Sequence, residues 1–210
     1  MPSLLGGVWV TLLLTFATMP IALVLGLLLA LGRLDGSKWF VSWPITAFVE
    51  IIRGTPLILQ LFYIYFVLPY AGIRLDPIVA GIIGLSLNYA AYLSEVFRSG
   101  IAAVDKSQRE AGQALSMSEG AIMRRIILPQ AVRIVIPPVG NYFISLFKDT
   151  ALVSTIGVAE LLFTGRLLAS ESYQYLQIFT IVFIIYFIIS FPAQRGMRRL
   201  EAHLARGRLR

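Results

Sequence analysis

The chain of 210 residues is 58% hydrophobic and only 14% charged, which leaves too little polar surface to coat a water-soluble globule. Its net charge of +7 would suggest nucleic-acid binding in a soluble protein, but a cluster of arginines near the C-terminus directly follows an apolar run and indicates a membrane-surface anchor. The absence of cysteine and the presence of a single histidine, His203, argue against disulfides, thiolate chemistry and a zinc site, so no metal or cofactor is expected in this chain.

Two long apolar segments open the chain. The first, from about Leu4 to Leu31, is predicted to cross the membrane and to be retained, because it lacks the basic start of a signal peptide and exceeds the length of a signal's apolar core. The second, from about Trp39 to Pro69, is too long for one perpendicular helix and is broken near Pro56, where proline removes a backbone donor. We therefore expect an interfacial or tilted helix over Trp39–Ile52 and a crossing over Leu57–Leu68.

Three further crossings complete a predicted bundle of about five transmembrane helices. They run from Pro77 to about Val104, from about Ile126 to Phe147 and from Tyr175 to Phe191. The stretch Ala151–Ser170 is apolar but short and contains two glycines, which favours a re-entrant or surface-lying helix packed on protein. A basic tail, about residues 193–210, follows the last crossing. Together these segments predict one all-α membrane domain over residues 1–210.

The cations fall mostly on one side of this arrangement. With five crossings, the loop after the first helix, the central polar loop and the tail share a side and carry fourteen of the eighteen Lys and Arg residues. The other four are Arg53, whose side the pattern does not fix, and Arg74, Lys148 and Arg166 on the opposite side. The positive-inside rule makes the crowded side cytoplasmic and places the N-terminus outside.

One long polar interruption, residues 105–120, separates the third and fourth crossings. A segment that cannot enter a bilayer, held between segments that cannot leave one, is suited to docking a soluble partner. Asp105 or Ser107 can cap a short helix here, with Glu110 in its first turn favoured by the helix dipole. The apolar stripe of that helix comprises Ala111, Ala114 and Leu115.

This stretch resembles the coupling loop of bacterial ABC importer permeases, whose pattern is E-A-A-x3-G-x9-I-x-L-P. Five residues fall in that register without a gap: Glu110, Ala111, Ile126, Leu128 and Pro129. Gly112 stands where the pattern has alanine, and Ser116 where it has glycine. Since glycine tolerates positive φ in the turn after the helix, either Ser116 carries that cost or the turn is displaced toward Gly120. The resemblance implies a coupling loop at about residues 105–129, with ATPase contacts at Glu110, Ala111, Gly112, Leu115 and Ser116.

Further stretches are similar to motifs of the polar amino acid uptake permeases, the histidine, glutamine, glutamate and arginine type importers. They are Arg53–Gln60, Ala91–Ile101, and Lys148–Leu152 with Gly157–Leu161, and the resemblance covers roughly residues 6–204. It implies the type I ABC importer permease fold with a cytoplasmic coupling helix, in the bacterial inner membrane. It also implies transport of a polar amino acid.

The same resemblance implies the rest of a transporter. A periplasmic or lipid-anchored binding protein would deliver the amino acid, and two permease subunits, identical or homologous, would form the path. Two ATPase subunits would bind ATP and Mg²⁺ beneath them. The sequence contains no G-x4-G-K-[ST] phosphate loop, so this chain is expected to be a non-catalytic subunit that contacts lipid and not nucleic acid.

Polar side chains at mid-membrane depth are costly unless they meet protein, water or ligand, so polar rows on the predicted crossings are candidates for an amino acid site. The candidate substrate residues are Gln60, Asn88, Tyr92, Asn141, Tyr142 and Ser145. Their amides and hydroxyls can satisfy both charged groups of a zwitterion without burying a fixed charge. The alternative for each residue is an interhelical hydrogen bond.

Charged residues on or beside the crossings are predicted to serve gating or structure. Glu95 lies near the cytoplasmic end of its crossing with Arg98, which favours a structural ion pair or support of the coupling loop over ligand binding. The same gating or structural class contains Arg53, Lys148, Asp149 and Glu160. Some cationic amino acid members of the family carry an acid at the position of Tyr142. Its absence here favours a neutral or acidic substrate, unless a second permease subunit supplies a carboxylate.

Three other classes of membrane protein fit the sequence less well. A secondary transporter usually shows two related halves and needs no docking helix, and this chain has no obvious internal repeat. An intramembrane enzyme would need a nucleophile with a base or a metal site, and no H-E-x-x-H motif occurs. A structural membrane adaptor is the third alternative.

Overall fold

The computed structural model describes residues 2–34 and 38–206, and every regular element in that part of the chain is helical. The first four helices are α1 (Pro2–Leu31), α2 (Trp39–Gly54), α3 (Leu57–Phe62) and α4 (Pro77–Ala102). They are followed by α5 (Lys106–Ala114), α6 (Glu119–Ile122), α7 (Leu128–Asp149), α8 (Leu161–Ser172) and α9 (Tyr175–Arg206). Single π-helical turns extend α3 at Tyr63–Val67 and join α6 to α7 at Met123–Ile127, and 3-10 turns lie at Leu68–Ala71 and Thr150–Ile156. The all-α prediction is confirmed.

The helices account for the predicted crossings. Within the described residues, Ser3–Leu31, Pro77–Ala102 and Tyr175–Leu204 are each long and apolar enough to cross a membrane. Two bent pairs pass the same criterion and raise the count to the predicted five. They are Trp39–Gly54 with Leu57–Ala71, bent by 108°, and Glu119–Ile156 with Leu161–Ser172, bent by 53°.

The 108° bend lies at the predicted break. Thr55 and Pro56 are extended, with ψ of 145° and 136°, because proline disfavours helix in the residue before it. The amide nitrogen of the Gln60 side chain donates to the carbonyl oxygens of Ile52 at 2.7 Å and Thr55 at 3.1 Å. These bonds satisfy backbone groups that the interruption frees, as a membrane-embedded break requires.

The last helix is longer than predicted. The fifth crossing is predicted to end near Phe191, but α9 continues to Arg206, so the basic tail is helical up to that residue. Pro192 does not end the helix, because one missing backbone donor is offset by the good helix formers that follow it, such as Gln, Met, Leu, Glu and Ala. The last arginines of the tail, Arg208 and Arg210, lie outside the described residues.

Helix α4 forms the centre of the bundle and contacts α1, α2, α3 and α7. The approach of α1 is close at Gly26, where an added Cβ would lie 3.0 Å from the carbonyl oxygen of Ala90 and from Cβ of Leu93. At the other end of the bundle, α8 lies against α1 and α9. The buried core includes Leu14, Leu61, Leu85, Leu93, Leu146 and Val153.

Candidate functional site

The central polar loop folds into a hairpin of α5 and the helical segment that begins at Glu119. Asp105 caps α5 by accepting a hydrogen bond from the Ser107 backbone N–H at 2.9 Å. Hydrogen bonds from the backbone and side chain of Ser107 hold the pKa of the Asp105 carboxyl below its usual range, so the cap is present at neutral pH and is lost as the pH falls through that lowered pKa. Because α5 begins at Lys106, Glu110 lies in its second turn, and the predicted first-turn dipole stabilisation is wrong.

The turn after α5 has the geometry that glycine provides in the coupling-loop pattern. Ser116 adopts a left-handed φ of 55°. Its N–H donates to the carbonyl of Gln113 at 2.8 Å, and the N–H of Met117 donates to the carbonyl of Gly112 at 3.1 Å. These two bonds define a Schellman C-cap with serine at the left-handed position. The turn is therefore at Ser116 and is not displaced toward Gly120.

Replacing Ser116 with glycine is expected to stabilise the hairpin by about 1 kcal/mol, because the left-handed conformation costs a non-glycine residue about that much. Amide hydrogen exchange within α5 should slow correspondingly. A matched control is Ser107→Gly, which places glycine inside the right-handed helix and should speed exchange. Slower exchange in both variants, or in neither, would contradict the assignment of the strain to Ser116.

Packing makes this hairpin rigid. Gly112 is buried, and an added Cβ would lie 2.7 Å from Cγ1 of Ile122 and 3.3 Å from Cδ1 of Ile126. On the same hairpin, the Gln113 side chain donates to Glu119 at 2.8 Å, and the Arg109 guanidinium lies 3.4 Å from the Glu119 carboxylate. The residue that replaces the consensus alanine is thus the one that packs α5 against the next helix.

The opposite face of α5 is exposed. Its exposed residues are Glu110, Ala111, Ala114 and Leu115. Leu115 is 75% exposed, which is unusual for a leucine beside a rigid turn. The predicted apolar stripe therefore faces away from the bundle and is available to a partner.

The candidate substrate residues fall into two separate groups. In the first group, the Asn88 amide donates to the side-chain oxygen of Gln60 at 3.0 Å, and Gln60 in turn satisfies the break before α3. The ring of Tyr142 lies 6.0 Å from that of Tyr92 and 6.1 Å from that of Tyr89. The Gln60–Asn88 hydrogen bond and the ring contacts of the tyrosines join α3, α4 and α7.

The second group lines a cleft of about 270 Å³ between α7 and α9. It contains Asn141, Ser145 and Lys148 from α7, and Gln194 and Arg198 from α9. Among the described residues, the side chains of Asn141, Ser145 and Lys148 have no hydrogen-bond or ion-pair partner. Asn141 and Tyr142 are adjacent in sequence, but Asn141 lines the cleft whereas Tyr142 contacts the tyrosines of α4.

Sequence reasoning missed two residues of this cleft. Gln194 and Arg198 follow the apolar part of α9, in a segment whose arginines, by sequence alone, indicate a membrane-surface anchor. Gln194 and Arg198 are four residues apart, so they share a face of any helix that contains both. This spacing would have indicated a common face only if α9 had been predicted to continue past Phe191.

A charged cluster ties together the ends of α1, α2 and α4. The carboxylate of Glu95 pairs with Arg33, with Arg98 at 2.9 Å and more loosely with Arg53 at 3.9 Å. Arg33 also donates to the Thr46 hydroxyl at 3.1 Å. The expected Glu95–Arg98 pair is thus present, within a larger network. Arg53 reaches the aromatic group as well, with its guanidinium 5.5 Å from the centre of the Tyr92 ring.

Glu160 and Asp149 make interhelical bonds away from the cleft. Glu160 is fully buried and caps α8, accepting hydrogen bonds from the backbone N–H groups of Phe163 at 2.7 Å and Leu162 at 2.9 Å. The Tyr186 hydroxyl of α9 donates to the same carboxylate at 3.0 Å. Asp149 accepts from the Tyr89 hydroxyl at 2.7 Å. This geometry is that of fold-stabilising contacts.

A helical bundle with up to five crossings, a hairpin with an exposed outer face and an open polar cleft are features of membrane transport proteins of the permease class. The family described as binding-protein-dependent transport system inner membrane component matches residues 22–206. The chain belongs to this family.

Named relatives of the chain are permeases. It is 38% identical over 204 residues to a probable amino-acid ABC transporter permease of Sinorhizobium fredii, covering 97% of this chain and 88% of the relative. It is 37% identical over 205 residues to the glutamine transport system permease protein GlnP of Escherichia coli K12, covering 97% and 93%.

Solved structures agree with the fold. A chain from the crystal structure of an amino acid ABC transporter with histidines superposes with a TM-score of 0.92 and 35% identity, covering 96% of this chain and 94% of that one. The inward-facing MetNI methionine ABC transporter gives a TM-score of 0.74 at 22% identity, covering 96% and 95%. The predicted ABC importer permease fold is thereby confirmed.

Proposed function

We propose that this chain is the permease subunit of an ATP-driven importer that carries a polar amino acid across the bacterial inner membrane. The cleft at Asn141, Ser145 and Lys148 carries the proposal, because its polar groups lack partners in the described chain and suit a zwitterion. The names of the relatives, which include a glutamine permease, support an amino acid as the substrate. None of the residues that line the cleft is acidic, which supports a neutral or acidic side chain on that substrate.

The partners follow from the hairpin. We propose that the exposed face of α5 docks into one of two ATPase subunits, which bind ATP and Mg²⁺, so that this chain itself is non-catalytic. ATP binding would pull the hairpin and rock the crossings toward the outside. A second permease subunit, of the same or a homologous chain, would complete the path. An extracytoplasmic binding protein would release the amino acid toward the cleft.

Replacing Asn141 with leucine is expected to lower amino acid uptake about fivefold to 100-fold, because the loss of a polar partner for a charged group of the ligand costs about 1–3 kcal/mol. The measurement is uptake into proteoliposomes that contain the complete importer, with the affinity of the binding protein measured separately. The control is Gln177→Leu, the same change at an exposed position of α9 outside the cleft. Normal uptake by the Asn141 variant would mean that the cleft has only a structural role. The substrate contacts would then have to be sought at Gln60, Asn88 and Tyr92.

The orientation of the chain gives a second expected result. A cysteine at Ile73, in the exposed turn before α4, should react with an impermeant maleimide in intact cells, because the cation count places this turn outside. A cysteine at Lys106 should react only after permeabilisation. The chain has no native cysteine, so each variant carries one reactive thiol. Labelling of position 106 alone in intact cells would reverse the orientation.

A further inference from the structure

Two cations of the cleft between α7 and α9 lack counter-charges. Four arginines of the described chain pair with carboxylates: Arg33, Arg53 and Arg98 with Glu95, and Arg109 with Glu119. Lys148 and Arg198, like most other cations of the described residues, have no ion-pair partner there, but they differ from those in lining one cleft together. They reach the same cleft from different helices, so the prediction that Lys148 lies on the side opposite to the basic tail is wrong. Their arrangement is therefore unlike that of a structural ion pair.

An anion is the chemical complement of this cleft. Lys148 and Arg198 are both exposed, but two like charges that line one cleft repel each other. A carboxylate relieves this repulsion and accepts charge-assisted hydrogen bonds from an ammonium and a guanidinium. Oxygen atoms of Asn141, Ser145 and Gln194 lie in the same lining and can accept from an ammonium.

We propose that Lys148 and Arg198 bind the carboxylate of the transported amino acid. This inference rests on the proposed function and adds the group that the cleft recognises. It assigns substrate contact to Arg198, which the sequence places in a membrane anchor, and to Lys148, which the sequence places in a gating or structural class. Because all amino acids have an α-carboxylate, the pair binds a group that every substrate shares. Other residues must therefore recognise the side chain of the substrate.

A lipid phosphate is the competing source of an anion. An adjoining groove of about 380 Å³ shares Lys148 and Gln194 with the cleft and is lined largely by aromatic residues of α9. Its aromatic residues are Phe183, Tyr186, Phe187 and Phe191. An acyl chain would fit such a lining, so the experiment has to separate a lipid from an amino acid.

The first measurement probes the charge of the cleft. In the cysteine-free chain, Ser145→Cys introduces a thiol whose reaction with an anionic and a cationic methanethiosulfonate reagent is followed in reconstituted importer. The ratio of the anionic to the cationic reaction rate should be at least about tenfold higher at position 145 than at an exposed reference, Gln177→Cys. Adding Lys148→Gln or Arg198→Gln should abolish most of this preference. Adding Arg195→Gln should not, because Arg195 lies over the Phe191 ring and outside the cleft lining.

The second measurement identifies the anion. L-Glutamine should protect the position-145 thiol from modification, and L-glutaminamide, which lacks the carboxylate, should protect at least about tenfold less well. Arg198→Gln should remove this difference, whereas Arg195→Gln should keep it. Equal protection by the acid and its amide overturns the inference and leaves amino acid transport intact.

The remaining outcomes concern lipid and the proposed function. Both measurements are repeated in phosphatidylcholine vesicles and in vesicles that contain phosphatidylglycerol. Loss of the anionic preference in phosphatidylglycerol, without protection by glutamine in either lipid, assigns the pair to a lipid phosphate and overturns the inference. Absence of uptake of any amino acid by the complete importer overturns the proposed function and the inference together.

Discussion

Replacing Glu160 with alanine is expected to lower the free energy of unfolding by about 2–5 kcal/mol. The substitution removes the cap that Glu160 provides to the backbone N–H groups of Leu162 and Phe163, worth about 0.5–2 kcal/mol, and leaves the Tyr186 hydroxyl without its acceptor, at about 1–3 kcal/mol. In a thermal unfolding experiment on the detergent-purified chain, the midpoint should fall by about 10 °C.

Two further variants test the cause of this loss. Glu160→Gln keeps an oxygen acceptor, so it should lose less stability than Glu160→Ala. Glu171→Ala removes a carboxylate from the exposed end of the same helix and should change the free energy of unfolding by no more than about 0.5 kcal/mol. Equal shifts for the alanine variants at positions 160 and 171 would mean that the buried network contributes nothing.

Changing the outer face of α5 is expected to uncouple transport without unfolding the chain. Glu110→Lys reverses a charge on this face, and Ala111→Trp adds a bulky ring beside it; both positions are exposed, so neither change disturbs the hairpin core. We expect ATPase copurification and binding-protein-stimulated ATP hydrolysis to fall about tenfold or more, since a small interface loses that much for about 1.4 kcal/mol. Membrane insertion and the unfolding midpoint should stay close to those of the unchanged chain.

The matched control for this face is Gln108→Lys. It also introduces a lysine into α5, but on the side that faces Gln130, where the two amide side chains lie 3.3 Å apart. Hydrolysis should remain near normal in this variant. If Gln108→Lys and Glu110→Lys reduce hydrolysis equally, the effect is one of overall loop charge, and the outer face of α5 is not a docking surface.

Much of the fold was predictable because local chemistry determines it. The break before α3 follows from Pro56, and the cap of α5 follows from Asp105, both by backbone rules that act over a few residues. The end of α9 was not predictable from hydropathy, because a helix does not stop where its apolar residues stop. The place of the turn at Ser116 was not predictable either, because spacing does not show whether a serine will bear the cost of the left-handed conformation or leave it to the later Gly120.

The candidate site was only partly predictable for a related reason. Residues three and four apart share a face of a helix, so spacing alone places Asn141, Ser145 and Lys148 on one side of α7. The rotation of α7 about its axis, however, depends on its neighbours. That rotation places Tyr142 against the tyrosines of α4 and leaves Asn141 open to α9. Neither the contribution of Arg198 nor the mutual bonding of Gln60 and Asn88 follows from a single helix.

The bonds around Glu160 also set the order in which this subunit can be completed during translation. Thr11 and Glu160 are separated by 149 positions, and Tyr186 follows Glu160 by a further 26. The first helix therefore enters the bilayer long before the ribosome has made Glu160 or Tyr186. The Thr11 hydroxyl is in place before the carboxylate that it later contacts. A nascent chain that stops before α9 has an open network around a buried carboxylate. Closure of this network therefore requires α9, because α1 and α8 alone leave the Glu160 carboxylate without the hydroxyl of Tyr186.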